Sequence, residues 1–338
     1  KTTTSAMLSH ILDQSPWKCN AFLGGIASNT NSNLLLNKES DWVVVEADEF
    51  DRSFLHLSPF ASIVTAMDPD HLDVYGDASS FTDGFRQYAM KIDPNGVCVV
   101  KEGLSLPTLC PSVSYGIDSE TADYKGYNLS YIDGEMQFFV DTKSSRRVRF
   151  QLGLPGIHNV SNALACIALL DQLGLPMADI QLGLASFKGV KRRFDVQIKT
   201  SDLVYIDDYA HHPEELKSLI DSLRMMYPEQ KISAVFQPHL YTRTRDFGNA
   251  FSEQLSRFDS LILLPIYPAR EPEIIGISSE WLLSMVRLEN KEVLSATGVL
   301  EVMKQQTTGI IVTIGAGDIS EIVAPLKNIL IQNIEAIS

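Results

Sequence analysis

Hydrophobic residues along this chain follow two periods, and the changes between them outline most of a fold. Trp42-Val43-Val44-Val45-Glu46 is a continuous β-branched run, as expected of a strand buried on both faces, and Ala61-Ser62-Ile63-Val64-Thr65 is a second. Segments 96–100 and 113–115 read as short strands, and a helical pattern over 79–92 carries Phe81, Phe85 and Tyr88. Between 124 and 152 the period becomes two. Tyr127-Asn128-Leu129-Ser130-Tyr131 and Met136-Gln137-Phe138-Phe139-Val140 alternate across Asp133-Gly134, which predicts a hairpin and hence an antiparallel insert in an α/β domain. Helices are then expected from His158 to about Leu173 and over 177–187. Beyond them, strand-like runs at 203–206, 232–236, 260–264, around 293 and at 309–314 are separated by helical patterns at 213–226, 245–258, 279–288 and 298–305, with a last helix over 319–332. Five β-α units of this spacing predict a doubly wound parallel sheet.

Composition narrows the function classes. With 338 residues, 45% hydrophobic and 21% charged, the chain is globular and long enough for two domains. A net charge of −14 argues against a general nucleic-acid binder or an anionic membrane surface, both of which need cationic patches. Cys19, Cys98, Cys110 and Cys166 are widely spaced without a C-x-x-C pair, so they read as buried small hydrophobes in a reducing cytoplasm. No apolar run approaches the roughly 20 residues that span a bilayer, and no signal peptide is visible. The expected partners are therefore small molecules, with neither nucleic acid nor membrane among them.

Candidate chemistry begins at the first residue. Lys1-Thr2-Thr3-Thr4 runs directly into the amphipathic pattern Ala6, Met7, Ile11, Leu12. A lysine and a hydroxyl at a helix start are the tail of a phosphate-binding loop: backbone N–H groups and the helix dipole hold phosphates, the lysine neutralises them and the hydroxyl ligates Mg²⁺. The same residues also make an ordinary threonine-capped helix start; the loop glycines are expected upstream of Lys1. Both early strands end in acids, Glu46, Asp48, Glu49 and Asp51 after the first and Asp68, Asp70, His71 and Asp73 after the second. Ligands of open α/β sheets bind at the carboxyl ends of strands, so two acidic tips beside a phosphate loop suit Mg²⁺-nucleotide chemistry. Most of these acids also read as solvated or capping residues. Glu46 differs, because a carboxylate abutting three valines is costly to desolvate unless it is paired or metal-bound.

Later motifs extend the pattern. Asn159 and Asn162, three apart at a helix start, can share one face and reach a purine edge, a phosphate or a neighbouring loop, or simply cap the helix. Lys188-Gly189-Val190-Lys191-Arg192-Arg193-Phe194-Asp195 is the densest basic cluster of an acidic chain, and it is where the domain boundary is expected, with Arg192 or Arg193 facing a nucleotide; a solvated linker is the competing reading. In the second half, Asp207-Asp208-Tyr209-Ala210-His211-His212-Pro213, Gln237-Pro238-His239-Leu240-Tyr241-Thr242-Arg243-Thr244-Arg245, Tyr267-Pro268-Ala269-Arg270 and Gly315-Ala316-Gly317 all follow strands and so gather on one sheet edge as an anion site. Zinc held by His211, His212, His239 and Asp208 is a weaker reading, since adjacent loop histidines rarely face one ion and Arg243 and Arg245 are cationic.

In this order, Lys-Thr-Thr-Thr, Glu46-Ala47-Asp48-Glu49, Asp70-His71-Leu72-Asp73, His158-Asn159 with Asn162, Arg192-Arg193-Phe194-Asp195, the Asp207 to Pro213 stretch and Pro238-His239 with Thr242-Arg243-Thr244-Arg245 resemble the Mur ligases of peptidoglycan synthesis over essentially all 338 residues. The last two motifs are most like members that add L-alanine, or a recycled tripeptide, to UDP-N-acetylmuramate. The resemblance implies a central P-loop-type ATPase domain at 1–191, with the antiparallel insert, and a Rossmann-like amino-acid-binding domain at 192–338; the family's N-terminal UDP-binding domain is expected to be absent from this chain.

It also implies an ATP- and Mg²⁺-dependent amide ligase working through an acyl phosphate. By that analogy Lys1, Thr2 and Thr3 hold phosphates; Thr2, Glu46 and His71 hold Mg²⁺; Asn159, Asn162, Arg193 and Asp208 bind the nucleotide; and Tyr209, His211, His239 and Arg243 surround the amino acid, Arg243 pairing its carboxylate. Two departures stand out: Ala66 replaces the family's asparagine five residues before His71, and no lysine occupies the place near Phe85 and Arg86 where several sister ligases carry a carbamate. The alternatives are the tripeptide ligase, which needs a roomier pocket than 241–245 suggests, and a nucleotide-binding fragment without turnover.

Overall fold

In the computed structural model, which describes residues 1–68, 75–132 and 135–336, the chain divides into two units, Lys1–Lys191 and Arg192–Ser338. Asp70, His71, Asp73 and the Asp133-Gly134 turn lie outside the described residues.

The first unit opens with α1 (Thr2–Gln14), which buries Ala6, Met7, Ile11 and Leu12 along one stripe and stops where Ser15 N–H turns back to the carbonyls of Ile11 and Leu12, just before Pro16. Strand β1 (Asn20–Ala27) pairs antiparallel with β2 (Ser32–Leu35) and parallel with β3 (Val43–Val45), in the order β2-β1-β3. Here an expectation is corrected. Only Val44 of β3 is buried, whereas Val43 is 63% and Val45 47% exposed, because α1 covers one face of this sheet and the other carries Phe22 (64% exposed) and Leu34 in cross-strand register with Val45.

A second sheet runs β4 (Ala61–Val64), β5 (Val97–Lys101), β6 (Ser112–Ile117), β7 (Tyr124–Ile132), β8 (Glu135–Asp141), β9 (Val148–Leu152) in that order. Pairing is parallel from β4 to β7 and antiparallel from β7 to β9, which is the expected insert, with Tyr127 opposite Phe139. Only glycine fits at position 96, where a Cβ would lie 1.5 Å from the Phe60 carbonyl oxygen. Helix α2 (Ala78–Ala89) is capped by the Asp77 carboxylate, which accepts Ser80 N–H. Helix α3 (Ile157–Leu173) buries almost every residue from Asn159 to Leu170 because it is covered by the β4–β8 sheet on one side and by α1 and α4 (Met177–Ser186) on another.

The second unit is a six-stranded sheet of β10 (Asp195–Lys199), β11 (Leu203–Asp208), β12 (Ile232–Phe236), β13 (Ser260–Leu263), β14 (Lys291–Val293) and β15 (Gly309–Ile314), ordered β10-β11-β15-β12-β13-β14. All pairs are parallel except the edge pair β10–β11. Connecting helices are α5 (Pro213–Met226), α6 (Tyr241–Asp246), α7 (Gly248–Leu255), α8 (Ser279–Met285), α9 (Ala296–Val302) and the final α10 (Ser320–Glu335). The single helix expected over 245–258 is instead two, broken at Phe247, so Arg243 and Arg245 sit on α6. With β15 returned between β11 and β12, the carboxyl tips of β11, β12, β13 and β15 share one edge, where Asp208 lies opposite Ile314, Ile314 opposite Phe236 and Phe236 opposite Leu263. All six residues of β11 are buried, Asp207 and Asp208 included.

Candidate functional site

In the first unit, the start of α1 meets the tip of β3. Thr2, itself buried, donates its hydroxyl to Glu46 Oε1 at 2.8 Å, and Gly24 N–H donates to Glu46 Oε2 at 2.9 Å. Gly24 makes this cradle possible: a Cβ there would lie 2.5 Å from Oε2. Glu46 is only half-buried, so the desolvation anticipated for it is partial, and these two donors meet it. Lys1 forms ion pairs with Asp48 (3.2 Å) and with Glu49. Deeper in, Thr4 donates to Asn162 Oδ1 at 3.0 Å, Asn162 Nδ2 reaches Asn159 Oδ1 at 3.4 Å, and buried Asn159 donates to the Pro155 carbonyl at 2.6 Å. The two asparagines do share a face, and Thr4 links them to α1. His71, expected as a further Mg²⁺ ligand, lies outside the described residues.

In the second unit the sheet edge concentrates charge. Asp207 accepts Thr313 Oγ1 at 2.7 Å and pairs with Arg192 at 3.4 Å, while Arg192 also donates to the Gly315 carbonyl at 2.7 Å. Asp208 accepts Phe194 N–H (2.7 Å) and Ala210 N–H (2.8 Å), one on each carboxylate oxygen, and burial pushes its pKa up to about 6. Glu215, in the first turn of α5, gathers the N–H groups of His211 (2.8 Å) and His212 (3.1 Å) and thereby fixes that loop.

Six of the expected residues come together here. The guanidinium groups of Arg192 and Arg193 lie 5.0 and 4.6 Å from the Tyr209 ring centroid, the Tyr209 and His211 rings are 5.4 Å apart, His211 and His239 are 5.8 Å apart, and Arg243 reaches His239 Nδ1 at 3.5 Å. Burial first, then the neighbouring His211 and Arg243, drives the His239 pKa down to about 4; burial also lowers that of His211 against the pull of Glu215. Both imidazoles are neutral at pH 7. Such rings can accept a hydrogen bond and orient an amine, but they hold a removed proton poorly. His212 turns away onto Phe247 (4.8 Å), and among the described residues no three His, Cys, Asp or Glu side chains are grouped to hold a metal ion.

Gly24, Glu215 and Glu271 were not singled out from sequence, and Thr4 and Tyr267 were named only as parts of their motifs, without the contacts they make. Glu215 alone left a signal, an acid three residues after the helix cap.

The model of the Mur ligase middle domain matches residues 1–170, and that of the Mur ligase, glutamate ligase domain, matches residues 192–318. The UDP-N-acetylmuramate–L-alanine ligases of Cytophaga hutchinsonii and Flavobacterium johnsoniae are 44% and 46% identical over 333 and 334 residues, covering 97% and 99% of this chain and 71% and 73% of their own. The crystal structure of UDP-N-acetylmuramate-alanine ligase MurC from Thermotoga maritima matches with a TM-score of 0.80 at 26% identity, over 100% of this chain and 74% of that one. The MurF ligase of the same organism, solved in complex with ADP, shares the fold with a TM-score of 0.77 at 16% identity, over 98% of this chain and 78% of its own. An α/β enzyme of the ligase class is what this fold and these matches define. Within that class, the chain belongs to the Mur ligase family.

Proposed function

We propose that this protein joins L-alanine to UDP-N-acetylmuramate with ATP and Mg²⁺, as the names of its 44% and 46% identical relatives suggest. A carboxylate oxygen of the sugar attacks the γ-phosphorus, the bond to the bridging oxygen breaks and ADP leaves. The alanine nitrogen then attacks the acyl carbon, the C–O bond to phosphate breaks, and inorganic phosphate and a proton are released. Little covalent work falls to side chains, so positioning and charge neutralisation carry the rate.

In this reading the unit of residues 1–191 is the ATP-binding domain and that of 192–338 the amino-acid-binding domain. Lys1, Thr2 and Thr3 hold phosphates. Thr2 and Glu46, with His71, hold Mg²⁺, and the glycine-lined cradle around Glu46, with a hydroxyl already on the carboxylate, suits a hard cation. When bound, Mg²⁺ neutralises charge on the phosphate oxygens. Asn162 and Arg193 face the nucleotide; Asn159 and Asp208 serve it by fixing Asn162 and the Phe194 backbone beside Arg193.

The observation that carries the proposal is the cluster of Tyr209, His211, His239 and Arg243: a guanidinium for a carboxylate beside two neutral imidazoles for an amine. The test is phosphate release by the full-length protein with ATP, Mg²⁺ and UDP-N-acetylmuramate, adding L-alanine, glycine, L-serine or a tripeptide in turn. Turnover highest with L-alanine is expected. Turnover with the tripeptide alone moves the assignment to muropeptide recycling, and none with any amine leaves a nucleotide-binding module.

A further inference from the structure

We infer that the segment Tyr267–Glu271, after β13, is a clamp that positions His239 and Arg243 for the amino acid, with Glu271 and a strained Leu240 as its working parts; the inference rests on the amino-acid role proposed for those two residues. Leu240 has φ 68° and ψ 136°, a left-handed φ combined with an extended ψ that a side chain makes costly and glycine tolerates. The strain is held in place from both sides. Tyr267 N–H donates to the Pro238 carbonyl at 2.8 Å and Leu240 N–H donates to the Tyr267 carbonyl at 2.9 Å, which grips His239 in a one-residue parallel bridge with its ring stacked on Tyr267 at 5.5 Å. Further along both segments, Glu271 takes both donors of Thr242, the backbone N–H at 3.0 Å and the hydroxyl at 2.5 Å.

These bonds decide where Arg243 points. A helix of six residues such as α6 does not hold itself, since a single turn costs more backbone freedom than its hydrogen bonds return. Its start is fixed instead by Glu271 on Thr242 and by the Leu240 carbonyl, which accepts Thr244 N–H (3.1 Å) and Oγ1 (2.7 Å). Neither Glu271 nor Leu240 needs to touch the substrate. They set the approach of Arg243 to His239, and hence the spacing of guanidinium and imidazole that a small amino acid would bridge.

The test uses full-length protein bearing Leu240→Gly, Glu271→Ala or Glu271→Gln, with separate KM values for L-alanine, ATP and UDP-N-acetylmuramate and a melting curve for each. Loss of a charge-assisted clamp is expected to raise the L-alanine KM about tenfold or more in Glu271→Ala. Glu271→Gln should recover part of the loss, since its amide oxygen can still accept Thr242 N–H. Leu240→Gly should melt no lower than the unsubstituted protein, strain relief offsetting the freedom of glycine, yet still show the raised L-alanine KM. The other two KM values and kcat at saturating L-alanine should stay within about twofold. An unchanged L-alanine KM in Glu271→Ala and Leu240→Gly would overturn the clamp, as would all three KM values rising together with a lowered melting point. If the unsubstituted protein turned over no amine at all, the proposed function would fail, and the clamp with it.

Discussion

Gly24→Ala is the most local perturbation available in the first unit. An added Cβ would lie 2.5 Å from Glu46 Oε2, 2.9 Å from Cδ and 3.0 Å from Oε1, where ordinary contact begins at 3.4 Å. The carboxylate must therefore retreat by about 0.9 Å, the shortfall at Oε2. Gly24 lies on β1 without a left-handed φ, so alanine carries no backbone penalty of its own. A retreat of that size takes Glu46 out of reach of Gly24 N–H, now at 2.9 Å, and loosens its bond to Thr2, now at 2.8 Å. Because Glu46 is only half-buried, water can replace these donors, and the stability cost is about 1 kcal/mol. The effect on turnover should be larger, on the order of 100-fold in kcat/KM, because a displacement of about 1 Å in a catalytic constellation costs that much. The assay is initial-rate phosphate release across a Mg²⁺ titration, beside a melting curve. A slower enzyme with a higher Mg²⁺ requirement and nearly unchanged melting is expected; normal rate and normal Mg²⁺ dependence would remove Glu46 from the site.

Three further outcomes follow from the same contacts. Because His239 titrates near pH 4 when folded and near 6.5 when unfolded, the unfolded chain binds more protons in that window, so stability should fall as pH drops from 6.5 towards 4; His239→Gln should flatten this part of a urea-midpoint profile. Asp208→Ala leaves the buried N–H groups of Phe194 and Ala210 without their acceptor and should cost about 2–4 kcal/mol, read as an earlier denaturant midpoint. Thr4→Val keeps the shape of α1 but deletes the bond to Asn162, and a several-fold rise in the ATP KM with a stability loss of about 1 kcal/mol is expected.

Much of the architecture was legible because local chemistry and burial agree. The helix expected over 213–226 is α5, opened by Pro213 with Glu214 and Glu215 in its first turn, and the continuous run in β11 is buried throughout. The sheet edge was legible for the same reason, since each unusual cluster follows a strand. Strand β1 was not, because Gly24 and Gly25 interrupt its apolar pattern, and they are there to let Glu46, Thr2 and Val190 approach. Burial of β3 was overestimated because three valines reveal β propensity and not how many faces a neighbour covers. At the site, residue types marked the tips, but the bonds that hold them join positions far apart in sequence. Thr4 meets Asn162 across 158 residues, and Thr242 meets Glu271 across 29, separations at which no periodicity operates.

The central claim is carboxylate activation by phosphoryl transfer, followed by amide formation. Its most direct test is to supply UDP-N-acetylmuramate labelled with ¹⁸O in its carboxylate, together with ATP, Mg²⁺ and L-alanine, and to weigh the phosphate released. One ¹⁸O per phosphate, formed in step with the amide product, is the predicted result; unlabelled phosphate, or phosphate released without amide, would contradict it.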